Sequence, residues 1–313
     1  MKFSLSTNWC NRRMESGEEI ADKAIELGFD ELELGFHTSV AQVPGFKARL
    51  DRMPVGSIHA FCPVPISAPQ GYPELYSLAS FDEDARGLAR FHITRNIEFA
   101  AEMGASTVVL HAGRVGFSTF FNRGFTSGTL RHALTEAKGD LADKKYAKLL
   151  AKAQKLRRER GLKLLEVFKA ELSALVPVLE QHKVVLALEN LPYLEGFPNE
   201  EEMSLLGEAF KGAPVQAWFD TGHHRVREMH GWLTLPEFQT ARQPDGKTLF
   251  RGLHLNDVVD YHDDHLPPGE GKVDFAALKD LAQSVRHVVF EPNGGVEESA
   301  LARGLAHIRI LWQ

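Results

Sequence analysis

The sequence of 313 residues contains only two cysteines, Cys10 and Cys62. Two cysteines are too few to form a disulfide framework. We interpret Cys62, which follows a candidate metal ligand, as a buried or idle thiol. The chain also has no apolar run of the roughly 18 residues that a membrane helix requires. Its N-terminal segment MKFSLSTNWC lacks the apolar core of a signal peptide, because Asn8, Arg12 and Arg13 interrupt it. We therefore expect a cytoplasmic protein without membrane contact.

The chain also lacks a net positive charge, since 42 acidic and 36 basic residues give −6. Without an overall basic field to gather polyanions, we expect a small-molecule substrate, and nucleic acid is disfavoured although a local groove can be basic. The composition is that of an ordinary globular protein, with 43% hydrophobic and 25% charged residues. We predict one domain spanning residues 1–313, and a homo-oligomer is compatible with the sequence.

Eight short runs of aliphatic or β-branched residues predict strands, and segments with helical periodicity lie between most of them. The predicted strands are Phe3–Thr7, Glu31–Leu34, Ser57–Ala60, Thr107–His111, Val184–Glu189, Val215–Asp220, Gly252–Asn256 and His287–Glu291. The predicted helices are Ser16–Leu27, Phe81–Met103, Leu162–His182, Asn199–Phe210, Asp274–Gln283 and Ser299–Leu311. This alternation requires parallel strands with helical crossovers. Since no Gly-rich dinucleotide-binding fingerprint follows the first strand, we predict an α/β protein with a (β/α)₈ TIM barrel rather than an open doubly wound sheet.

One interval, between His111 and Leu162, departs from this alternation. We predict a helical insertion over about 114–161, in the loop after strand four. Its first part, Arg114–Gly128, is rich in Gly and Phe. The phenylalanines are Phe117, Phe120, Phe121 and Phe125. Its second part, Asp140–Arg160, predicts a helix with one apolar stripe and one lysine-rich face, which is most simply a solvated face. The alternative is a lid or an oligomer contact, with the phenylalanines partly closing the site.

Fourteen histidines are many for this length, and their positions follow a pattern. Each predicted strand from the third to the eighth carries a His, Asp or Glu at or next to its carboxyl end. Because the carboxyl ends of barrel strands meet at one face, we expect these side chains to line one cavity. The six residues are His59, His111, Glu189, Asp220, His254 and Glu291.

Three further candidate ligands lie in the segments that follow two of these strands. His223 comes three residues after Asp220, and the motif YHDDHLPPGEG supplies Asp263 and His265. A D-x-H spacing places both side chains on the same side of an extended segment. A single His or Glu at a strand end is more often structural, but repetition at six strands and the cost of burying several carboxylates together favour a metal site. Imidazole and carboxylate ligands favour one or more divalent ions, zinc first, with manganese and iron as alternatives.

Other polar and aromatic residues near these positions are weaker candidates. We expect Asn190, Asn256 and Asp257 to hold the ligands through hydrogen bonds. Four aromatic residues could either line the pocket or pack in the core, and the sequence favours neither position. They are Trp9, Phe61, Tyr193 and Trp218. Structural or solvent-facing positions are expected for His224, His230 and His262.

The motifs LALEN, FDTGHH, HLNDV, DDHLPPGEG and VVFEP, in that order, resemble the xylose isomerase-like TIM-barrel superfamily. The resemblance covers nearly the whole chain outside the insertion. This superfamily includes sugar isomerases, sugar epimerases and endonuclease IV, so the resemblance implies a fold without selecting a reaction. Uncharacterised members with a lysine-rich insertion and a tryptophan-containing DTGH strand resemble the chain best overall.

In the single-metal epimerases and isomerases of this superfamily, a Glu, an Asp, a His and a second Glu hold the metal. The matching residues are Glu189, Asp220, His254 and Glu291. The resemblance implies that Glu189 and Glu291 move protons through an enediolate of a small sugar or related polyhydroxy carbonyl compound, while His223 contacts substrate oxygens. These epimerases usually carry an Arg shortly after the metal-binding His, and residues 257–260 contain none. We predict this reaction class for the chain.

Endonuclease IV provides the alternative, a multinuclear phosphoesterase that cleaves DNA at abasic sites. Each of its nine zinc-binding residues has a counterpart here. The counterparts are His59, His111, Glu189, Asp220, His223, His254, Asp263, His265 and Glu291. The parts that contact DNA look absent, because the loop GFHTSVAQVPG lacks the basic and aromatic residues that enter the duplex. The segment Ala60–Pro63 also lacks the tyrosine that endonuclease IV places beside an abasic site.

Overall fold

The computed structural model describes residues 1–117 and 124–313, and in these residues eight parallel strands close into a barrel. The strands are β1 (Ser4–Ser6), β2 (Glu31–Leu34), β3 (Val55–His59), β4 (Thr107–Leu110), β5 (Val185–Glu189), β6 (Val215–Asp220), β7 (Phe250–Leu255) and β8 (His287–Phe290). Each strand pairs with its neighbours in chain order, and β8 pairs with β1. The predicted (β/α)₈ barrel is confirmed.

Helices surround the barrel on its outer side. They are α1 (Gly17–Glu26), α2 (Val43–Lys47), α3 (Glu83–Glu102), α4 (Ser127–Glu136), α5 (Lys144–His182), α6 (Glu200–Ala209), α7 (Thr221–Met229), α8 (Lys279–Ser284) and α9 (Glu298–Leu311). Three of them, α2, α4 and α7, are absent from the helices expected from the sequence. In the described part of the chain, no helix has the length and apolar character needed to cross a membrane.

The segment predicted as two helices forms one continuous helix, α5, which is 39 residues long. The predicted division into two helices is therefore wrong, and the bounds of about 114–161 for the insertion stay a prediction. Gly161 lies inside the helix and is buried, and a side chain there would collide with Arg157 and Glu202. The buried stripe of α5 continues across this position, from Tyr146 to Leu179, so nothing in the packing separates a basic helix from the helix that follows it.

A second hydrophobic cluster joins α4 and α5 to the loops above the barrel. Its buried members are Phe117, Phe125, Leu130, Ala133, Leu134, Tyr146, Ala153, Leu194 and Trp232. The Tyr146 hydroxyl donates to the backbone carbonyl of His230 at 2.5 Å and accepts from Trp232 Nε1 at 3.2 Å. Two of the phenylalanines considered for a lid therefore belong to this cluster, while Phe120 and Phe121 lie outside the described residues.

Candidate metal centre

The alternation of side chains along each strand determines which residues reach the cavity at the carboxyl ends of the strands. In β5, Ala187 packs inside the barrel, and the next inward position is Glu189. In β6, Trp218 packs inside the barrel, and the next inward position is Asp220. The same step of two residues in β4 leads to His111, just beyond the strand. The residues packed inside the barrel thus determine that these polar side chains lie one layer above them, at the carboxyl ends of the strands.

The nine predicted ligand residues form three groups, and within each group the candidate ligand atoms lie within 4.8 Å of one another. The first group is His59, His111 and Glu189; the second is His223, Asp263 and His265; the third is Glu189, Asp220, His254 and Glu291. All nine residues therefore come together, and Glu189 belongs to two of the groups.

The two carboxylate oxygens of Glu189 face different histidines. Its Oε2 lies 3.2 Å from Nε2 of both His59 and His111. Its Oε1 lies 3.2 Å from Nδ1 of His254 and 3.3 Å from Nδ1 of His223. Complete burial raises the pKa of Glu189, but the charges of His254 and His111 outweigh burial and lower the pKa well below its usual value. Glu189 is thus an ionised carboxylate that can serve two groups at once.

Three of the histidines are oriented in the way that metal-binding histidines usually are, with one ring nitrogen held by an acceptor. The Nδ1 atoms of His59, His223 and His265 donate to the carbonyl oxygens of Ala60, Asn190 and Glu291, at 2.7, 2.8 and 2.8 Å. Because a carbonyl oxygen only accepts, the proton resides on Nδ1. The Nε2 atom of each ring then faces a carboxylate 3.2 Å away. This donor set fits a divalent transition-metal ion.

Asp220 is held from several sides. Its Oδ1 accepts the backbone N–H of His223 at 2.7 Å and caps α7, and its Oδ2 accepts from Asn256 Nδ2 at 2.6 Å. The side chain of Asn190 bonds to the backbone N–H and carbonyl of Asp220 at 2.8 and 3.1 Å. Burial raises the pKa of Asp220 to about 6, although nearby His223 opposes the shift. Asn190 and Asn256 therefore support a candidate ligand, as the sequence suggested.

Asp257 has a different role from the one expected, because it contacts loop backbone instead of a ligand side chain. Its carboxylate accepts from the N–H groups of Gly269, Gly271 and Val273 at 3.0, 2.8 and 2.9 Å. These bonds fix the loop 257–273, which carries Asp263 and His265. The expected extended D-x-H segment is also wrong in detail, since His265 adopts a left-handed φ of 47°. The two side chains still converge, with Asp263 Oδ1 3.2 Å from His265 Nε2.

A cavity of about 370 Å³ opens above the three groups. Its polar lining outside the groups includes Asn8, Arg12, Gln70, Tyr72 and Asn293. Of the four aromatic candidates for a pocket wall, Tyr193 lines the cavity. Trp9, Phe61 and Trp218 are buried in the core instead. The volume lies within the range of small-molecule sites.

Glu74, which the sequence did not single out, sits beside the first group. Its carboxylate pairs with the Arg114 guanidinium, with Oε1 3.0 Å from Nη2, and lies 3.8 Å from Nδ1 of His111. Burial would raise the pKa of Glu74, but His111 and Arg114 lower it to about 2. The Arg114 guanidinium also stacks on the Tyr193 ring at 3.9 Å. Glu74 lies in a long irregular loop, so no periodic pattern marks it.

Glu33 is a second residue that sequence analysis missed. It is fully buried inside the barrel on β2, and its Oε1 lies 3.0 Å from Nε2 of His254. The sequence ELEL contained a signal, because Leu32 and Leu34 pack in the core between strands and helices. The alternating positions Glu31 and Glu33 must then point into the barrel.

A family model described as the xylose isomerase-like TIM barrel matches residues 21–309. Among solved structures, 3-keto-D-glucoside 4-epimerase YcjR from E. coli is 21% identical over 99% of each chain, with a TM-score of 0.65. The protein TTHB071 from Thermus thermophilus, from a crystal soaked with ZnCl₂, is 24% identical over 99% of this chain and 98% of its own, with a TM-score of 0.61. An L-ribulose 3-epimerase is 14% identical over 100% and 95%, with a TM-score of 0.66. No curated protein matches the sequence. At these identities, the solved structures share the fold.

Proposed function

The chain belongs to the xylose isomerase-like TIM-barrel family, and from that premise we propose that it is a metal-dependent isomerase or epimerase. Its proposed substrate is a small sugar or a related polyhydroxy carbonyl compound. The epimerases among the structural neighbours are consistent with this proposal. Because a shared fold does not determine the reaction, the chemical argument for the proposal comes from the residues of the site.

The observation that carries the proposal is the approach of two carboxylates to one histidine nitrogen. Glu189 Oε1 and Glu291 Oε2 lie 3.2 and 3.1 Å from Nδ1 of His254. Both carboxylates are buried; Glu189 ends β5 and Glu291 directly follows β8, with β6 and β7 between these strands. With Asp220, these residues supply the donor set of a single divalent ion, zinc first, with manganese and iron as alternatives.

The proposed chemistry assigns proton transfer to the two glutamates. A bound divalent ion would polarise the substrate carbonyl and make the neighbouring carbon more acidic. One carboxylate takes the proton from that carbon and later releases it to solvent water. The other carboxylate takes up a proton from solvent water and delivers it to the substrate carbon, so the number of protons balances. For Glu291, burial raises the pKa, but His254 and His265 outweigh burial and lower it, so the side chain is ionised. His223, which lines the cavity, is assigned to substrate oxygens.

Solvent deuterium incorporation tests this reaction directly. Metal-loaded protein is incubated in D₂O with a panel of aldoses and ketoses, and the C–H signal next to each carbonyl is followed by NMR. We expect at least one substrate to exchange that hydrogen for deuterium. Glu291→Gln should slow exchange about 100-fold or more, because positioned acid–base groups contribute about 10²- to 10⁴-fold. The exposed Glu159→Gln should match the wild type. Absence of exchange throughout a broad panel would contradict the proposal.

A second candidate, a multinuclear phosphoesterase, is favoured by the first two groups of ligands. The single-ion reaction has no evident need for His59 and His111, yet both rings turn Nε2 toward the second oxygen of Glu189. Such a carboxylate is suited to bridging two ions. The discriminating observation is hydrolysis of phosphoesters, including nicking of abasic-site DNA that falls steeply with salt, in the absence of deuterium exchange.

A further inference from the structure

The barrel interior contains a buried carboxylate, Glu33, that belongs to none of the three ligand groups. It lies on β2, one inward step above Glu31, and the carboxylate is held by a hydrogen bond from Ser57 Oγ on β3 at 2.8 Å. Its other oxygen, Oε1, is 3.0 Å from Nε2 of His254 on β7. Glu33 therefore connects the neighbouring strands β2 and β3 to the candidate ligand His254 on β7, across the barrel interior.

His254 differs from the candidate ligands His59, His223 and His265 in the acceptor that holds its ring. His59, His223 and His265 donate to neutral backbone carbonyls. His254 instead donates from Nε2 to a side-chain carboxylate, and its Nδ1 faces the carboxylates of the third group. A carboxylate acceptor both fixes the protonated nitrogen and increases the electron density at the opposite nitrogen.

We propose that Glu33 is a positioning residue for the ion of the third group, acting through His254. It keeps the proton on Nε2, directs Nδ1 toward Glu189 and Glu291, and strengthens Nδ1 as a metal ligand. This inference rests on the proposed metal centre, but it is separate from the choice between isomerase and phosphoesterase chemistry. Loss of the Glu33 carboxylate should weaken metal binding by about 10- to 100-fold, the usual effect of removing such a partner.

Glu31 provides a matched control inside the same barrel. It lies on the same strand and the same inward side as Glu33, and only 5% of its surface is exposed. Its partner is Lys2, with Nζ 2.9 Å from Oε1, and it makes no contact with His254. Glu31→Gln and Glu33→Gln therefore each remove one buried carboxylate, but only the second alters the environment of a candidate ligand.

The test compares zinc affinity of the full-length wild type, Glu33→Gln and Glu31→Gln by competition with a chromophoric chelator. Cobalt(II) titration of the same proteins reports the ligand field through the visible absorption bands. We expect Glu33→Gln to bind the tightest zinc ion about 10- to 100-fold more weakly and to show altered cobalt bands. Glu31→Gln should match the wild type in both measurements. Equal affinity and equal spectra for the two variants would overturn the role of Glu33.

The experiment distinguishes failure of the proposed metal centre from failure of the role of Glu33. A wild-type protein that takes up neither zinc nor cobalt overturns the proposed function and this inference together. Circular dichroism establishes whether Glu33→Gln is folded. If it is not, Ser57→Ala is the variant to measure, since it removes only the hydrogen bond that holds Glu33. We expect weaker zinc binding in the same direction and by a smaller factor. Unchanged affinity and spectra in folded Ser57→Ala would then count against the proposal.

Discussion

Glu189 is the residue on which both proposed reactions depend. One of its oxygens faces His59 and His111, and the other faces His254 and His223. Neutralising it would therefore disturb any ion held by the first or the third group. A substitution there would test the existence of the site without choosing between reactions, so a discriminating variant must affect only one group.

His111→Ala is such a variant, because His111 belongs to the first group and not to the third. On the proposed isomerase reaction, we expect the ion of the third group to stay bound and part of the deuterium exchange to remain. Elemental analysis of protein purified without added metal or chelator provides the measurement.

The control for this experiment is His132→Ala, since the His132 side chain is 77% exposed on α4. About one ion per chain, retained in His111→Ala, supports the isomerase. About three ions in the wild type, with one ion and all turnover lost in His111→Ala, would favour the phosphoesterase.

Seven of the nine candidate ligands were predictable because each stands at or near the end of a recognisable strand, whereas the loop residues Asp263 and His265 were predicted from the motif that contains them. Glu33 was overlooked because it lies in the middle of β2, where attention to strand ends gives no signal. Glu74 was beyond prediction, since its position near His111 depends on the path of an irregular loop. Strand periodicity thus predicts residues that point into the barrel, but not the loop residues that tertiary structure brings beside them.

At the scale of secondary-structure elements, the two halves of α5 serve different neighbours. The second half packs in the main core, as Phe168 and Leu172 show, whereas Tyr146 and Ala153 in the first half belong to the second cluster. The sequence predicted two helices here, a lysine-rich one over Asp140–Arg160 and a second one over Leu162–His182. Composition changes along this helix because its neighbours change, while the backbone continues without a break.

Tyr146→Phe should loosen the second cluster. The substitution removes the hydroxyl that donates to His230 and leaves the buried Trp232 Nε1 without its acceptor. We expect the free energy of unfolding to fall by about 2 kcal/mol, measured by urea denaturation with circular dichroism. Tyr72 is 45% exposed, and Tyr72→Phe should change the free energy of unfolding by less than about 0.5 kcal/mol. Equal effects would contradict an important role for the buried hydroxyl.

A buried ion pair between α6 and α7 should govern part of the acid sensitivity of the fold. Glu200 Oε1 lies 2.6 Å from Arg227 Nε, and its Oε2 also accepts from Thr234. Burial would raise the pKa of Glu200, but Arg227 lowers it from 4.5 to about 2. A lowered pKa stabilises the fold above the unfolded value, and this contribution is lost as pH falls from about 4.5 toward 2.

Glu200→Gln should therefore reduce stability at neutral pH by about 3 kcal/mol and flatten the loss of stability between pH 4.5 and 2. Urea denaturation across this pH range provides the measurement. Glu201→Gln, at the exposed neighbouring position, should keep the wild-type pH profile. An unchanged acid profile in Glu200→Gln would show that other groups control acid unfolding.

At the scale of the whole molecule, six consecutive strands, β3 to β8, contribute candidate ligands at or next to their ends. An ion held among them would connect strands that are distant in sequence. The eight-strand alternation was visible in the sequence because most of the strands are short runs of aliphatic or β-branched residues. The helices α2, α4 and α7 were not, since they are short or polar, and α7 begins where Asp220 caps it beside the site.

Metal removal should consequently lower the thermal stability of the whole barrel. An ion that binds only the folded state contributes about 2.7 kcal/mol when its free concentration is 100 times its Kd. We expect differential scanning calorimetry to show a lower Tm after dialysis against a chelator and recovery after zinc is returned. The same Tm in both states would contradict a metal that connects the strands.

The Asp257 carboxylate accepts hydrogen bonds from four backbone N–H groups of the loop 257–273, so the loop that carries part of the site is fixed by contacts of its own. Two of the three residues of the second group, Asp263 and His265, belong to this loop. The residues of the third group lie instead on barrel strands or, for Glu291, directly after β8. Exchange of this loop should therefore remove an ion bound by the second group and leave the residues of the third group in place. We therefore expect this loop to be the segment at which barrels of this architecture differ between one bound ion and several.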